Sequence, residues 1–208
     1  GFYMGKYEVT QKEWNQYMKP ANVSFVGDNL PVDNVSWMNI VRYCNARSEA
    51  EGLTPAYTIL GNYASSVTCN FKANGYRLPT EAEWEMAAKG GQLYTYSGSD
   101  DADEVAWYRE NSGRRYRTVG YQKKPNAYGI YDMTGNVAEW CWDWYSEDYP
   151  SSLTEFVNPR GPASGTLKVI RGGSVNNGLG TNLSVVYRTK GDPAKGYPFV
   201  GFRLVRTH

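Results

Sequence analysis

Apolar side chains recur at helical spacing in three early segments of the chain, and each segment follows a residue suited to cap a helix. Thr10 precedes the first segment, Ser36 the second and Thr80 the third. Glu13 and Glu83 stand three residues after the two threonines, which is the pattern of a capping box. The sequence therefore predicts three helices that begin at these caps.

The rest of the chain carries strand-like and turn-like patterns. Residues 2–9 predict an initial strand, and residues 92–130 are polar, tyrosine-rich and full of turn signals. Strand-like runs follow at 167–171 and at 199–206, where apolar and polar residues alternate. Helices early and strands late predict one α+β domain over residues 1–208, with long ordered loops.

The charge balance bears on the class of partner. The 208 residues include 22 Lys and Arg against 21 Asp and Glu, so the net charge is close to zero. A nucleic-acid-binding domain normally carries an excess of basic residues, so we expect no nucleic-acid partner. No apolar run approaches the roughly 18 residues of a membrane-spanning helix, so membrane attachment would require a lipid anchor outside this chain.

The supply of metal-binding and nucleophilic side chains is small. His208 is the only histidine and the last residue, where packing cannot hold it rigidly. A Ser-His-Asp or Cys-His nucleophile and a histidine-bound zinc or copper site are therefore excluded. The cysteines, Cys44, Cys69 and Cys141, form no zinc pattern. Buried free thiols are the favoured interpretation, and one disulfide bond stays open.

Four segments, in order along nearly the whole chain, resemble the formylglycine-generating-enzyme (sulfatase-modifying-factor) family. They are KYEVT at 6–10, GYRLPTEAEWE at 75–85, YGIYDMTGNVAEW at 128–140, and RGGS at 171–174 with GFRL at 201–204. The resemblance implies the C-type lectin fold of that family. Such a fold has a small twisted antiparallel sheet, two main helices, long ordered loops, and both termini in one sheet.

The resemblance also indicates what the chain lacks. In the enzyme, two cysteines that follow the Gly-Gly-Ser motif bind copper, and the corresponding positions here are Asn177 and Asn182. An amide cannot replace the thiolate that Cu(I) requires, and the related sulfoxide synthases need histidine-bound iron. We therefore expect a protein that is not an enzyme and that holds no copper, iron or zinc. A catalytically inactive structural protein, or an oxidase with relocated chemistry, stays open.

The segment 175–199 has the composition of a recognition surface. Tyr187, Tyr197 and Phe199 stand in it among glycine, asparagine, serine and threonine residues, as in antibody paratopes. This layout resembles the variable proteins of diversity-generating retroelements, in which mutagenised asparagine codons never yield Trp, Met, Glu, Gln or Lys. The segment contains none of the first four, and only Lys190 and Lys195 break the rule.

This second resemblance implies that residues 169–208 form the variable region of a ligand-binding protein. Such proteins include cell-surface lipoproteins, so a cell-surface or extracellular location is expected, with a variable protein or a glycan as ligand. We expect a monomer, and we expect Leu183, Arg188 and Val200 to belong to the scaffold. The candidate diversified residues, expected to share one solvent-facing surface, are Val175, Asn177, Gly178, Gly180, Thr181, Asn182, Tyr187, Thr189, Gly191, Asp192, Gly196, Tyr197, Pro198 and Phe199.

Asp132, Gly135, Val137 and Glu139 match a calcium-binding segment of the enzyme family. There the first and last residues supply side-chain oxygens and the middle two supply backbone carbonyls, which suits a hard cation. The resemblance therefore implies a structural calcium ion at these four residues. A metal-free loop held by hydrogen bonds stays open as the alternative.

Overall fold

The computed structural model describes residues 1–148 and 157–208, and these residues contain five α-helices. The helices are α1 (Gln11–Tyr17), α2 (Trp37–Ala50), α3 (Glu81–Lys89), α4 (Ala102–Val105) and α5 (Arg109–Ser112). The first three begin where the sequence predicts. Thr10, Ser36 and Thr80 each accept a hydrogen bond from the backbone N–H three residues later. Helix α3 ends at Gly90, whose left-handed conformation (φ 58°) lets the chain leave the helix.

Nine short strands form three sheets in the described residues. They are β1 (Phe2–Met4), β2 (Tyr57–Ile59), β3 (Val67–Cys69), β4 (Tyr76–Arg77), β5 (Ala138–Trp144), β6 (Lys168–Arg171), β7 (Arg188–Gly191), β8 (Val200–Gly201) and β9 (Val205–Thr207). Strand β9 lies between β1 and β4, so the two ends of the chain share a sheet. Strands β2 and β3 pair with each other. The third sheet has the order β7-β6-β5-β8, and only the β5–β8 pair is parallel.

The four-stranded sheet is packed on both faces. Trp140 and Ile170 point to one face and pack in the same core as Trp37 of α2. Cys141 and Val169 point to the other face and pack with Trp84 of α3. Alternate residues of a strand point to opposite faces, so β5 and β6 are apolar on both sides and hold the two helices apart.

A buried ion network connects this sheet to α3. Arg171 of β6 and Glu81 of α3 are both 0% exposed, and their side chains approach to 2.9 Å. Arg171 also reaches Glu85 at 2.7 Å, and Arg188 of β7 pairs with Glu81. Removing one partner of a buried pair costs about 3–5 kcal/mol, because the other charge is left uncompensated. Strands β6 and β7, which stand before and after residues 172–187, are therefore firmly held to α3.

Some strands are shorter than the sequence predicts, and two helices were not predicted. Residues 5–9 leave the first sheet, because Glu8 turns inward to accept a hydrogen bond from the N–H of Val137. The final run is divided into β8 and β9, because Arg203 directs its guanidinium into the core. The short helices α4 and α5 lie where only loops were expected. Within the described residues, no helix has the length and apolar character needed to cross a membrane.

Candidate functional site

The C-terminal tail is the segment 175–199. Its first part, residues 175–180, lies against helix α5. The backbone carbonyl of Asn177 accepts a hydrogen bond from the N–H of Arg109 (2.9 Å). The N–H of Leu179 donates to the carboxylate of Glu110 (3.2 Å). The side chain of Asn177 bonds inside the loop, where its Oδ1 accepts from the N–H and the hydroxyl of Ser174. Main-chain atoms of the tail therefore make its hydrogen bonds with helix α5.

The last part of the tail, residues 196–199, is also anchored by hydrogen bonds of its main chain. The N–H of Asn34 donates to the carbonyl of Tyr197 (3.1 Å), and the N–H of Ala138 donates to the carbonyl of Phe199 (2.9 Å). The N–H of Phe199 donates to Oδ2 of Asp33 (2.8 Å). Hydrogen bonds on both sides of Phe199 hold it at φ 62°, a left-handed conformation that is rare for an aromatic residue.

Asp33 joins three separate segments of the chain beneath the tail. Its Oδ1 accepts from the N–H of Ser24 (3.0 Å) and from the hydroxyl of Tyr116 (3.0 Å). Its Oδ2 accepts from the hydroxyl of Ser24 (2.6 Å) as well as from Phe199. Asp33 is 0% exposed, so these donors replace the water that a carboxylate normally requires. Sequence reasoning missed Asp33; the available signal was one carboxylate inside the run LPVDNV at 30–35.

A small apolar cluster lies beneath both parts of the tail. Val175 is buried there with Tyr116 and Val137, and Phe199 and Trp107 pack against them while partly exposed. Side chains in one cluster are neighbours in space. The exposed residues that follow Val175 and those around Phe199 therefore occupy adjacent parts of one surface.

Strand β7 carries the middle of the tail along the edge of the four-stranded sheet. Thr189 is paired with Ile170, so its side chain lies on the face that packs on α2. Arg188 and Lys190 lie on the opposite face, over the ring of Tyr145. Thr189 thus shares a face with the last part of the tail, whereas Arg188 belongs to the buried ion network.

Three candidate diversified residues are buried or have no room for a larger side chain. Val175 is 0% exposed, and the prediction is wrong for it because it fills the apolar cluster. Gly191 is buried, and a Cβ there would lie 2.6 Å from a ring carbon of Trp140. A Cβ on Gly196 would lie 2.2 Å from the carbonyl oxygen of Asn34. Both glycines are therefore scaffold positions, which composition alone does not reveal.

The other candidates are exposed or half-exposed, except that the side chain of Thr181 lies outside the described part of the chain. They are Asn177, Gly178, Gly180, Asn182, Tyr187, Thr189, Asp192, Tyr197, Pro198 and Phe199. Leu179 (59% exposed), Val186 (56%) and Asn176 are also exposed and were not among the predicted residues. The position of Leu179 between two glycines was the sequence signal for an exposed turn. Leu183 is fully buried, as expected of a scaffold residue.

Glu139, one of the residues predicted to bind calcium, has other partners in the structure. The predicted residues are Asp132, Gly135, Val137 and Glu139. Both carboxylate oxygens of Glu139 accept hydrogen bonds from the guanidinium of Arg203 (2.7–2.9 Å). Its Oε2 also accepts from the indole N–H of Trp84 (2.7 Å). Glu139 is 1% exposed, and these donors engage both of its oxygens. A guanidinium therefore supplies positive charge at the position where the resemblance implies calcium, and the calcium ion stays a prediction.

Three buried carboxyl groups surround this guanidinium. Glu8 is 1% exposed and Asp132 is 3% exposed, close to Glu139 and Arg203. Burial raises the pKa of Asp132 to about 6, although a hydrogen bond from the N–H of Gly120 opposes the shift. Burial, and next the charge of Asp132, raise the pKa of Glu8 well above its ordinary value. A protonated carboxyl group carries no charge, so the raised pKa values reduce the excess of negative charge around the single guanidinium.

The chain offers little else that could hold a metal or act as a nucleophile. Across residues 1–148 and 157–208, no group of three or more His, Cys, Asp or Glu side chains is placed to hold a metal ion. Cys44 and Cys141 are buried, Cys69 is half-buried, and all three are free thiols. Burial raises the pKa of each thiol, which keeps it protonated and unreactive at neutral pH.

Comparisons with known proteins place this arrangement in a family. The whole chain, residues 1–208, matches the model of the sulfatase-modifying factor enzyme 1-like domain. The chain is 40% identical to chaperone protein LppX of Paenibacillus barcinonensis, over 99% of this chain and 80% of that protein. It is 37% identical to the formylglycine-generating enzyme of Thermomonospora curvata, over 62% of this chain. The match covers 48% of that enzyme, so this chain spans about half of its length.

A solved structure is similar over almost the whole chain. Treponema denticola variable protein 1 superposes with a TM-score of 0.92 at 34% identity, over 99% of this chain and 84% of that one. This likeness confirms the predicted fold class, an α+β fold of the formylglycine-generating-enzyme type with few helices and small sheets. It also confirms the resemblance to a variable protein. By both sequence and fold, the chain belongs to the sulfatase-modifying factor enzyme 1-like family.

Proposed function

We propose that this chain is a non-catalytic ligand-binding protein whose C-terminal tail presents a diversified surface. The observation that carries the proposal is the way the tail is held. Hydrogen bonds from Arg109, Asn34 and Ala138 end on backbone carbonyls of the tail. A backbone anchor persists when the side chain changes, so many different sequences can occupy the same loop.

The exposed side chains suit recognition. Tyr187, Tyr197 and Phe199 offer rigid contact area, while Asn177 and Asn182 offer adaptable hydrogen-bonding groups. Similarity to a variable protein of Treponema supports the same function. The proposed ligand is a protein or a glycan that differs between variants, and the proposed state is a monomer without a nucleic-acid partner. We place it at the cell surface or outside the cell, as a lipoprotein.

Chemistry at the enzyme's copper position is disfavoured. Asn177 and Asn182 occupy the two positions that the family resemblance assigns to the copper-binding cysteines, and the carboxamide of Asn177 is engaged by Ser174. We therefore propose that the protein works without copper, iron or zinc. Incubation with Cu(I) and a cysteine-containing peptide tests this point. Multiple turnover to formylglycine would show that the chain is an enzyme.

A second candidate is favoured by the 40% identity to a protein named a chaperone. In that case the tail would be a fixed binding surface with one class of client. The two candidates differ in how the tail varies between isolates. Substitutions concentrated at the ten exposed tail positions support diversification, and substitutions spread evenly along the gene support a fixed surface.

The direct test is a displayed library that randomises the ten exposed tail positions together. A matched library randomises the three scaffold positions instead, namely Val175, Gly191 and Gly196. We expect most clones of the first library to be folded, as judged by a cooperative unfolding transition. Clones selected from it are expected to bind unrelated targets. Most clones of the second library are expected to be misfolded, because these positions have no room. Widespread misfolding of the first library would refute the proposal.

A further inference from the structure

Four arginines lie in the short segment that borders the tail. They are Arg109, Arg114, Arg115 and Arg117, called here the basic arm. All four precede the variable region 169–208, so they stay constant while the tail differs. The net charge of the chain is only +1, so this local concentration of charge does not follow from a basic composition.

The basic arm contacts the first part of the tail directly and the last part through Phe25. At one end, a Cβ on Gly178 would lie 2.3 Å from Nη2 of Arg109, so this guanidinium covers the first part of the tail. At the other end, the guanidinium of Arg115 lies 4.4 Å from the centre of the Phe25 ring. That ring packs 6.4 Å from the ring of Phe199 in the last part of the tail. The arm therefore forms one side of the diversified surface.

Most of the charge on the arm is not neutralised within the protein. Arg109 pairs with Glu110 at 3.0 Å. Arg114, Arg115 and Arg117 make no ion pair with any residue of 1–148 or 157–208. Arg114 and Arg115 are exposed, and Arg117 is half-exposed. A planar guanidinium presents a fork of donors that matches a carboxylate, so these groups are ready to bind anions.

The surroundings of the arm favour a polypeptide over a sugar. Sugars stack on bare aromatic faces, but Lys123 and Arg117 lie over the Trp107 ring at 4.3 and 5.2 Å. Two exposed apolar side chains adjoin residues next to the arm. Val26 (89% exposed) follows Phe25, which Arg115 contacts, and Leu179 (59% exposed) bonds to Glu110 beside Arg109. Carboxylates interspersed with apolar side chains match this mixture, and a polypeptide supplies both.

We infer that the partners of this surface are polypeptides with acidic segments, whose carboxylates bind the basic arm. The inference rests on the proposed ligand-binding function and adds the chemical class of the partner. The arm supplies an attraction common to all variants, and the diversified side chains select among acidic partners. Fixed charge of this kind accelerates association and rejects partners of like charge.

Binding of the whole chain to immobilised poly-L-glutamate, with heparin and poly-L-lysine as parallel surfaces, tests the inference. The variant Arg114→Glu/Arg115→Glu removes the arm charge. Its control, Lys19→Glu/Lys72→Glu, makes the same change in net charge at exposed lysines elsewhere. We expect poly-L-glutamate affinity to fall about tenfold or more in the arm variant and less than about twofold in the control. Binding is expected to weaken as salt rises to about 0.3 M.

Thermal melts are needed to check that both double variants fold. Arg115→Gln, which keeps the side-chain stem on Phe25, is a milder variant that is also expected to weaken binding to poly-L-glutamate. No binding to poly-L-glutamate, equal losses in the two double variants, or tighter binding to heparin would overturn the inference. Failure of the proposed function is seen separately, as misfolding of the tail library, and does not alter the binding of this one chain to poly-L-glutamate.

Discussion

Gly196→Ala is expected to destabilise the protein although it adds only one methyl group to an exposed loop. The new Cβ would lie 2.2 Å from the carbonyl oxygen and 2.5 Å from the carbonyl carbon of Asn34. Both atoms belong to the backbone, and the N–H of Asn34 is bonded to the tail at Tyr197. The clash can therefore be relieved only by moving one chain segment away from the other, which also lengthens this hydrogen bond.

Overpacking of this kind costs about 1–3 kcal/mol. In a chain of this size, each kcal/mol lowers the melting temperature by about 2–4 °C. Differential scanning calorimetry is thus expected to show Gly196→Ala melting about 2–12 °C below the parent protein. The measurement belongs at one pH and one protein concentration, because both can shift a melting temperature.

Gly178→Ala provides the matched control within the same tail. Its Cβ would also meet an atom at 2.3 Å, but that atom is Nη2 of Arg109, the mobile end of an exposed side chain. The arginine can swing aside, so we expect a change within about 0.5 kcal/mol. Equal melting temperatures for the two variants, or a larger loss for Gly178→Ala, would show that backbone proximity does not separate scaffold from diversified positions.

Three further outcomes are expected. Arg203→Met leaves the Glu139 carboxylate buried without its guanidinium, so urea titration is expected to show a loss of about 3–5 kcal/mol; a loss below about 1 kcal/mol would contradict this. Calcium and a chelator are expected to give the same melting temperature, because Arg203 and Trp84 already engage both oxygens of Glu139, and a higher melting temperature with calcium would support the metal site. Burial raises the pKa of Asp143 to about 7, so the folded protein holds this proton more tightly than the unfolded chain. The free energy of unfolding is therefore expected to fall as pH rises from about 4 to about 7, and Asp143→Asn is expected to flatten that fall; an unchanged slope would refute it.

The helices were predictable because their signals are local. A threonine cap and a glutamate three residues later satisfy the first turn of a helix wherever that helix packs, and both capping boxes are present. The final strands were predictable only in part. Alternation marks Val200 and Leu204 as facing one way, but it carries no sign that Arg203 between them turns inward and interrupts the strand.

The calcium segment shows why a motif does not determine its partner. A carboxylate can donate electron pairs to a metal ion or accept hydrogen bonds from a guanidinium, and the partner of Glu139 in this structure is Arg203, 64 residues later. A short sequence motif carries no information about a contact with a residue at that separation. The tail shows the same limit at finer scale. Its composition indicates a recognition surface, but only the approach of Asn34 separates Gly196 from neighbours that we propose to be variable.

The buried carboxylate of Asp33 has a consequence for the order of folding. It ties Ser24, Tyr116 and Phe199 to one point, and the first two of these are made on the ribosome long before the third. A domain folds as a unit, and strand β9, which lies between β1 and β4, is made after the tail. The framework beneath the tail therefore closes only after every proposed diversified position has been made, so each new variant has to be compatible with folding as well as with binding.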